Sequence, residues 1–236
     1  MVQFVEPDGT EKVAAAGRVG GVRFEDCLPV REIPSYAGQR HTPGLYWAAS
    51  CDRMVAYESW LEAKWLKLTD FAADTAVLAS QPFRLHGADS DGRWEHVPDL
   101  FVRRTDGSVK IIDVKAVRFS GDLMVVRQRD RTAVVCEDLG WDYEMVSEPD
   151  SLTWATVDWL AGYRRPLRAG TELVEPMLAV AARPVAIGDL ASFQSFPELA
   201  RSVVYHLMWT GQLTFDITKP LRDTTLVKAA DTKAGN

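Results

Sequence analysis

Residues 93–119 hold the feature that most narrows what this chain can fold into. Two segments, RWEHVPDLFVRR and SVKIIDVKAVRF, are rich in β-branched and aromatic residues and meet at Thr105-Asp106-Gly107-Ser108. A short Asp-Gly connection between two such runs is a tight-turn signal, so the spacing predicts a β-hairpin. Side chains alternate along a strand. Val97, Asp99 and Phe101 are therefore expected on one face of the first strand, and Ile111, Asp113 and Lys115 on one face of the second. The second strand is apolar enough to be buried. A charge inside it costs free energy unless it is paired or used.

The flanking segments set the fold class. Leu61, Trp65, Leu68 and Ala72 recur at three- and four-residue steps, which predicts a helix from Asp52 to about Phe71, with Glu58 and Glu62 stacked on one flank. LYWAAS before it and AVLASQPFRLHG after it read as strands, the latter kinked at Pro82. Residues 120–139 read as a helix and DYEMVS as a short strand. The order strand, helix, strand, hairpin, helix, strand predicts an α/β core around a mixed sheet. Residues 1–50 show turn signals without clear periodicity.

A composition shift near residues 147–151 marks a second domain. Ser151 is read as the N-cap of a helix running through Trp154 and Trp159 to about Tyr163, and another helix is expected from Thr171 to Ala182. AIGDLASF, the turn QSFP and a helix from Pro197 to Trp209 read as helix-turn-helix. Leu213, Phe215 and Ile217 then alternate, and a turn at Lys219–Asp223 leads to a further strand. Together these read as a winged-helix-like module. The expected boundaries are 1–148, 149–230 and a tail over 231–236.

Charge and cysteines limit the function. The net charge is −6, which disfavours a protein that grips DNA unaided, because that affinity comes largely from neutralising phosphates. Arg31, Arg40 and His41, and the cluster Arg127, Gln128, Arg129 and Arg131, are the local cationic segments. Cys27, Cys51 and Cys136 form no Cys-x-x-Cys pair, and the four histidines lack metal-ligand spacing, so neither a zinc site nor a disulfide framework is expected. No apolar run is long enough to cross a bilayer, and the first residues lack the apolar core of a signal peptide, so an intracellular, cytoplasmic protein is expected.

The chemistry is carried by Glu62, Asp99, Asp113 and Lys115. Hydrolysing a phosphodiester requires an activated water, neutralisation of charge on the phosphate and stabilisation of the leaving oxygen. Divalent metal ions supply all three. Mg²⁺ takes hard oxygen ligands and keeps several waters, so two or three carboxylates suffice. Asp113 and Lys115, two apart on one strand, point the same way. Asp99 lies on the partner strand, and a helix carboxylate, Glu62 or Glu58, completes the set.

This arrangement resembles the PD-(D/E)xK nuclease superfamily, and more closely the TnsA-like endonuclease subunits of heteromeric transposases. The resemblance rests on ESWLEAKWLKLTDFAADTAVLASQPFRL and HVPDLFVRRTDGSVKIIDVKA. It spans roughly residues 25–146 and, more loosely, the C-terminal part. It implies a restriction-endonuclease-like domain followed by the winged-helix-like one, with Glu62, Asp99, Asp113 and Lys115 catalytic. It also implies Mg²⁺, replaceable by Mn²⁺, on Glu62, Asp99 and Asp113. Glu62 stands nineteen residues before Gln81, close to the family's spacing of a helix Glu and a strand-opening Gln, so Glu58 and Gln81 are auxiliary candidates. Some family members carry Gln where Asp113 stands. The implied activity is cleavage at the 5′ ends of a transposon, and the implied partners are double-stranded DNA, a DDE transposase and an AAA+ ATPase regulator.

Two other readings stand beside it: a restriction or repair nuclease with the same site, and a non-catalytic winged-helix adaptor. Gln81 is read either as touching the site or as capping a strand. His96 is expected on the opposite strand face from Asp99, in a structural or surface role. The Trp residues read as core or interface aromatics. The Pro197–Trp209 helix carries a single Arg, Arg201, which favours protein binding over phosphate contact.

Overall fold

The computed structural model describes residues 1–31, 42–192 and 196–231. The chain divides into two compact units, Met1–Pro149 and Asp150–Asn236. It is a mixed α/β protein with several sheets and, among the described residues, six α-helices. None of these helices is long and apolar enough to cross a membrane. Arg40, His41, part of the QSFP turn and all but the first residue of the 231–236 tail lie outside the described residues.

The first unit holds two four-stranded sheets. One runs β2 (Glu11–Ala14), β1 (Val2–Val5), β6 (Phe83–Asp89), β7 (Gly92–His96), all antiparallel. The other runs β10 (Asp142–Val146), β9 (Val109–Val114), β8 (Leu100–Arg104), β5 (Thr75–Ser80). In it β8 pairs antiparallel with β9, across a turn whose Gly107 takes a positive φ, and β10 pairs parallel with β9. A parallel pair needs a crossover, here α2 (Leu123–Leu139). Asp122 starts that helix by accepting from the Met124 N–H, and left-handed Gly140 ends it.

The second sheet is covered on both faces. On one side Phe101, Val109 and Ile111 pack with Val2, Phe4, Phe83 and Leu85 of the first sheet, with Phe24 and with Cys136 of α2. On the other, Leu100, Val102, Ile112, Val114 and Val146 pack with Leu66 of α1 (Trp60–Phe71) and with Tyr46, Ala48 and Val55 of the hairpin β3 (Gly44–Ala48) and β4 (Arg53–Tyr57). This is why β9 reads as a nearly unbroken apolar run: a strand buried on both faces has no solvent side for polar residues.

Three segments differ from the sequence expectation. Residues 53–57 form β4, so the helix begins only at Trp60, and its inner stripe is Ala63, Leu66 and Asp70, flanked by Leu61 and Trp65. Residues 76–87 are not one kinked strand. The chain leaves β5 at Gln81, which adopts φ 50°, and Pro82 starts it into the other sheet. RWEHVPDLFVRR likewise breaks at Val97–Asp99, its halves lying in different sheets as β7 and β8. Both breaks occur at prolines, which cannot donate to a sheet ladder. The first residues, without evident periodicity, supply β1 and β2.

In the second unit α3 (Ser151–Leu160) is capped by Asp150, not Ser151, through the Thr153 N–H. A 3-10 turn at 171–173 leads into α4 (Val174–Val180). β11 (Val185–Ala186) precedes α5 (Ile187–Ser192) and α6 (Pro197–Trp209), and with the two strands that follow them it forms a three-stranded sheet of order β11, β13 (Leu226–Ala229), β12 (Leu213–Phe215). Leu160, Met177, Ile187, Leu190, Val203, Leu207, Leu213 and Val227 form its interior.

Phe24 sits among the rings of Phe4, Phe83, Phe101 and Trp141, with centroids 4.7–6.0 Å away. It is fully buried. Phe24→Ala is expected to destabilise the first unit by about 3–5 kcal/mol, measured by denaturant unfolding followed by Trp fluorescence.

Candidate active site

The hairpin ladder ends with the pair Leu100 and Ile112, so Asp99 and Asp113 stand opposite each other one step further on. The Asp99 N–H donates to Asp113 Oδ1 at 3.3 Å. Asp99 Oδ2 accepts from the Val114 N–H at 2.7 Å, and the Asp99 carbonyl accepts from Gln81 N–H at 3.1 Å. Asp99 thus links the site to the β5–β6 break through its backbone and to β9 through its side chain.

Glu62 lies on the first turn of α1, where Ser59 is the N-cap. The Glu62 N–H donates to Ser59 Oγ, the Ser59 hydroxyl donates to Glu62 Oε1 at 2.8 Å, and the Glu58 N–H donates to Glu62 Oε2 at 2.8 Å. This is a variant of the capping box: Ser59 caps the Glu62 N–H, and the Glu62 carboxylate reaches back to the Ser59 hydroxyl and to the N–H of Glu58, one residue before the N-cap. The same side chain is near enough to Asp99 for its charge to be felt there. Glu62 therefore holds the helix start together and contributes to the acidic cluster.

Electrostatics identify the point of convergence. Burial, then the charges of Asp113 and Glu62, push the Asp99 carboxyl well above the usual carboxylate range, against the pull of the Val114 N–H and the Lys115 ammonium. Asp99 nevertheless keeps part of its surface open. Burial also raises Glu62, and the Glu58 charge adds to this, while the Glu58 N–H, the Ser59 hydroxyl and Arg31 oppose it. Of the four residues read from the sequence, Asp99 and Asp113 are hydrogen-bonded neighbours, and Glu62 and Lys115 lie within electrostatic reach of Asp99. Lys115 follows the end of β9, and its N–H continues the parallel pairing to Val146 O at 2.8 Å.

The auxiliary candidates form an adjoining group. Glu58 accepts from Arg31 and, at 2.9 Å, from Gln81 Nε2. Gln81 is 2% exposed, and among the described residues its Oε1 has no hydrogen-bond partner. So Gln81 does both things the sequence left open: it ends a strand and reaches the acidic group.

His96 was misplaced by the sequence. Reading residues 93–104 as one strand put it on the face away from Asp99, but the strand breaks after His96. Its Nε2 lies 2.8 Å from Asp113 Oδ2, the oxygen that also accepts from the Tyr143 hydroxyl at 2.8 Å. Pro98 was the available signal for that break. No sequence signal singled out Tyr143, which pairs beside Ile111 on the parallel strand. The α2 cations are committed as well. Arg131 binds Asp89 at 2.6 and 2.9 Å, Arg127 lies 3.5 Å from Asp91, Arg129 pairs with Asp130, and Gln128 turns to His96.

Among the described residues no group of three or more His, Cys, Asp or Glu side chains forms a ready-made metal cage. The donor chemistry still suits a hydrated hard cation. Two carboxyl groups, Asp99 and Asp113, adjoin, and a buried amide oxygen, Gln81 Oε1, meets no donor among the described residues, one that a cation-bound water would supply. No protein-family model and no curated protein matches this chain.

Because Asp99 is raised, its protonated form contributes stability that is complete below the ordinary carboxylate range and is lost as pH rises through the raised value. Asp99→Asn keeps an acceptor for Val114 and removes the titration. Thermal melts from about pH 4 to about pH 8 should show the variant gaining on wild type as pH rises. A constant difference would refute the shift.

Proposed function

We propose that this chain is a divalent-cation-dependent DNA endonuclease, acting as the nuclease subunit of a heteromeric cut-and-paste transposase and cutting the 5′ ends of the element. The observation that carries the reading is the pairing of Asp99 with Asp113 across the hairpin, with Glu62 and Lys115 within electrostatic reach of Asp99. The mixed sheet with its parallel β9–α2–β10 crossover suits a restriction-endonuclease-like first domain. In the second, α5, α6 and the β12–β13 ribbon suit a winged-helix-like domain. Arg201 on α6 is paired with Asp223, which favours a protein partner for that domain over phosphate.

In this reading Asp99, Asp113 and Glu62 hold Mg²⁺, or Mn²⁺ in its place, with Gln81 and Glu58 beside them. The cation supplies the activated water and neutralises charge on the scissile phosphate. Asp99 must give up its proton for this role, and the pull of Lys115 and the Val114 N–H eases that loss. Lys115 places a positive charge where negative charge builds on the phosphate. The net charge of −6 and the engaged arginines of α2 support delivery of double-stranded DNA by a DDE transposase, with an AAA+ regulator as the further partner. The setting is the cytoplasm, at the nucleoid.

A second reading, a non-catalytic adaptor, draws on Glu62 and Asp113, whose oxygens already serve hydrogen bonds within the protein. Nicking of transposon-end DNA with the transposase present and Mg²⁺ or Mn²⁺ added separates the two. Lys115→Ala and Asp99→Ala are each expected to lower the rate at least about 100-fold. Rates equal to wild type, with an active partner, would leave the adaptor reading standing. The isolated chain is expected to bind duplex DNA weakly at physiological salt in an anisotropy titration, and tight binding there would refute partner delivery.

A further inference from the structure

Asp113 is 2% exposed, and its hydrogen bonds arrive from three separate elements. His96 at the end of β7 and Tyr143 on β10 both meet Oδ2 at 2.8 Å. The Asp99 N–H, at the start of β8, meets Oδ1 at a longer 3.3 Å. A carboxylate oxygen offers two lone-pair sites. Oδ2 is therefore saturated, whereas Oδ1 keeps capacity on the side of Asp99.

The donors are themselves fixed. Gln128 of α2 places its amide nitrogen 2.6 Å from His96 Nδ1, so Nδ1 accepts and Nε2 carries the proton that goes to Asp113. The Gln128 backbone carbonyl in turn accepts from the fully buried Thr132 hydroxyl at 2.8 Å. Burial, and then the charge of Asp113, raise the Tyr143 phenol, which keeps it a neutral donor. Tyr143 pairs with Ile111, which shares a strand face with Asp113, and this places the phenol on the α2 side of the sheet.

We propose that His96 and Tyr143 are positioning residues that lock Asp113 by Oδ2 and present Oδ1 alone, beside Asp99, to a divalent cation. The inference rests on the cation site proposed above. It assigns the imidazole and the phenol to orienting a ligand and holds them apart from the reacting atoms. Fixing one oxygen of a carboxylate restricts it to single-oxygen ligation and removes the rotation that would otherwise be lost on binding.

The test measures Mn²⁺ affinity of the full chain by electron paramagnetic resonance without DNA, alongside thermal melts. Tyr143→Phe removes the hydroxyl and little else. His96→Ala removes the imidazole donor, and His96→Gln restores an N–H on a side chain of similar reach. Tyr143→Phe and His96→Ala should each weaken Mn²⁺ binding at least about tenfold, and His96→Gln should recover most of that loss. Folded variants that bind Mn²⁺ as wild type does would overturn the positioning role. If Tyr143→Phe does not fold, the His96 pair decides alone: an equal loss in Ala and Gln counts against the proposal, recovery in Gln for it. Failure of wild type to take up Mn²⁺ would overturn the cation site itself, and is thereby distinguished from failure of the positioning role alone.

Discussion

Asp113 is a carboxylate inside a strand covered on both faces, and the geometry of the site follows from keeping it there. A carboxyl group in such a place needs hydrogen-bond partners. The fold provides them from a second sheet, from a parallel neighbour strand and from the backbone of the opposing aspartate. To bring His96 to Asp113 the chain must leave the first sheet at the end of β7 and start the second at Leu100, which puts Asp99 at the crossing. The position of Asp99 is therefore a consequence of how Asp113 is satisfied.

The acidic cluster is a local conflict within an otherwise self-consistent structure. Buried carboxylates elsewhere in the first unit are compensated. Glu25 meets Arg103 through two hydrogen bonds, and Asp70 accepts from Tyr46 and from the Ala49 and Ser50 N–H groups. Around Asp99 the compensation is incomplete, because burial and two neighbouring carboxylates raise it against the pull of the Val114 N–H and the Lys115 ammonium. Natural folds concentrate such conflicts at functional sites. This contrast separates the Asp99 cluster from Asp70 and Glu25, which are acidic and buried yet purely architectural.

Glu62 shows how one side chain serves structure and site together. Its two oxygens close the N-terminal turn of α1, and that turn sets where α1 begins against β9 and β10. A helix N-terminus also favours negative charge. The capping box thus holds a carboxylate near Asp99 without a dedicated partner. Ser59 and Glu62 spell that motif in the sequence, whereas the convergence with Asp99 does not appear there.

Local order was legible in the sequence. The Asp106-Gly107 turn, the apolar run of β9 and the α1 and α2 segments follow from turn chemistry and periodicity, which act over a few residues; Glu62, Asp99, Asp113 and Lys115 were singled out by residue chemistry together with the family resemblance. What the sequence left hidden was long-range. Whether residues 76–87 and 93–104 stay in one sheet or divide between two depends on which core each half joins, and a two-residue alternation reads the same in both cases. That division turned His96 from the far face to a direct partner of Asp113 and set Asp89 and Asp91 against Arg131 and Arg127 of α2, while the parallel pairing of β10 with β9 brought Tyr143 to the same carboxylate. Residue spacing fixes only what neighbours along the chain do; partners 17 and 30 residues away are chosen by the packing of sheets, which only the tertiary structure decides.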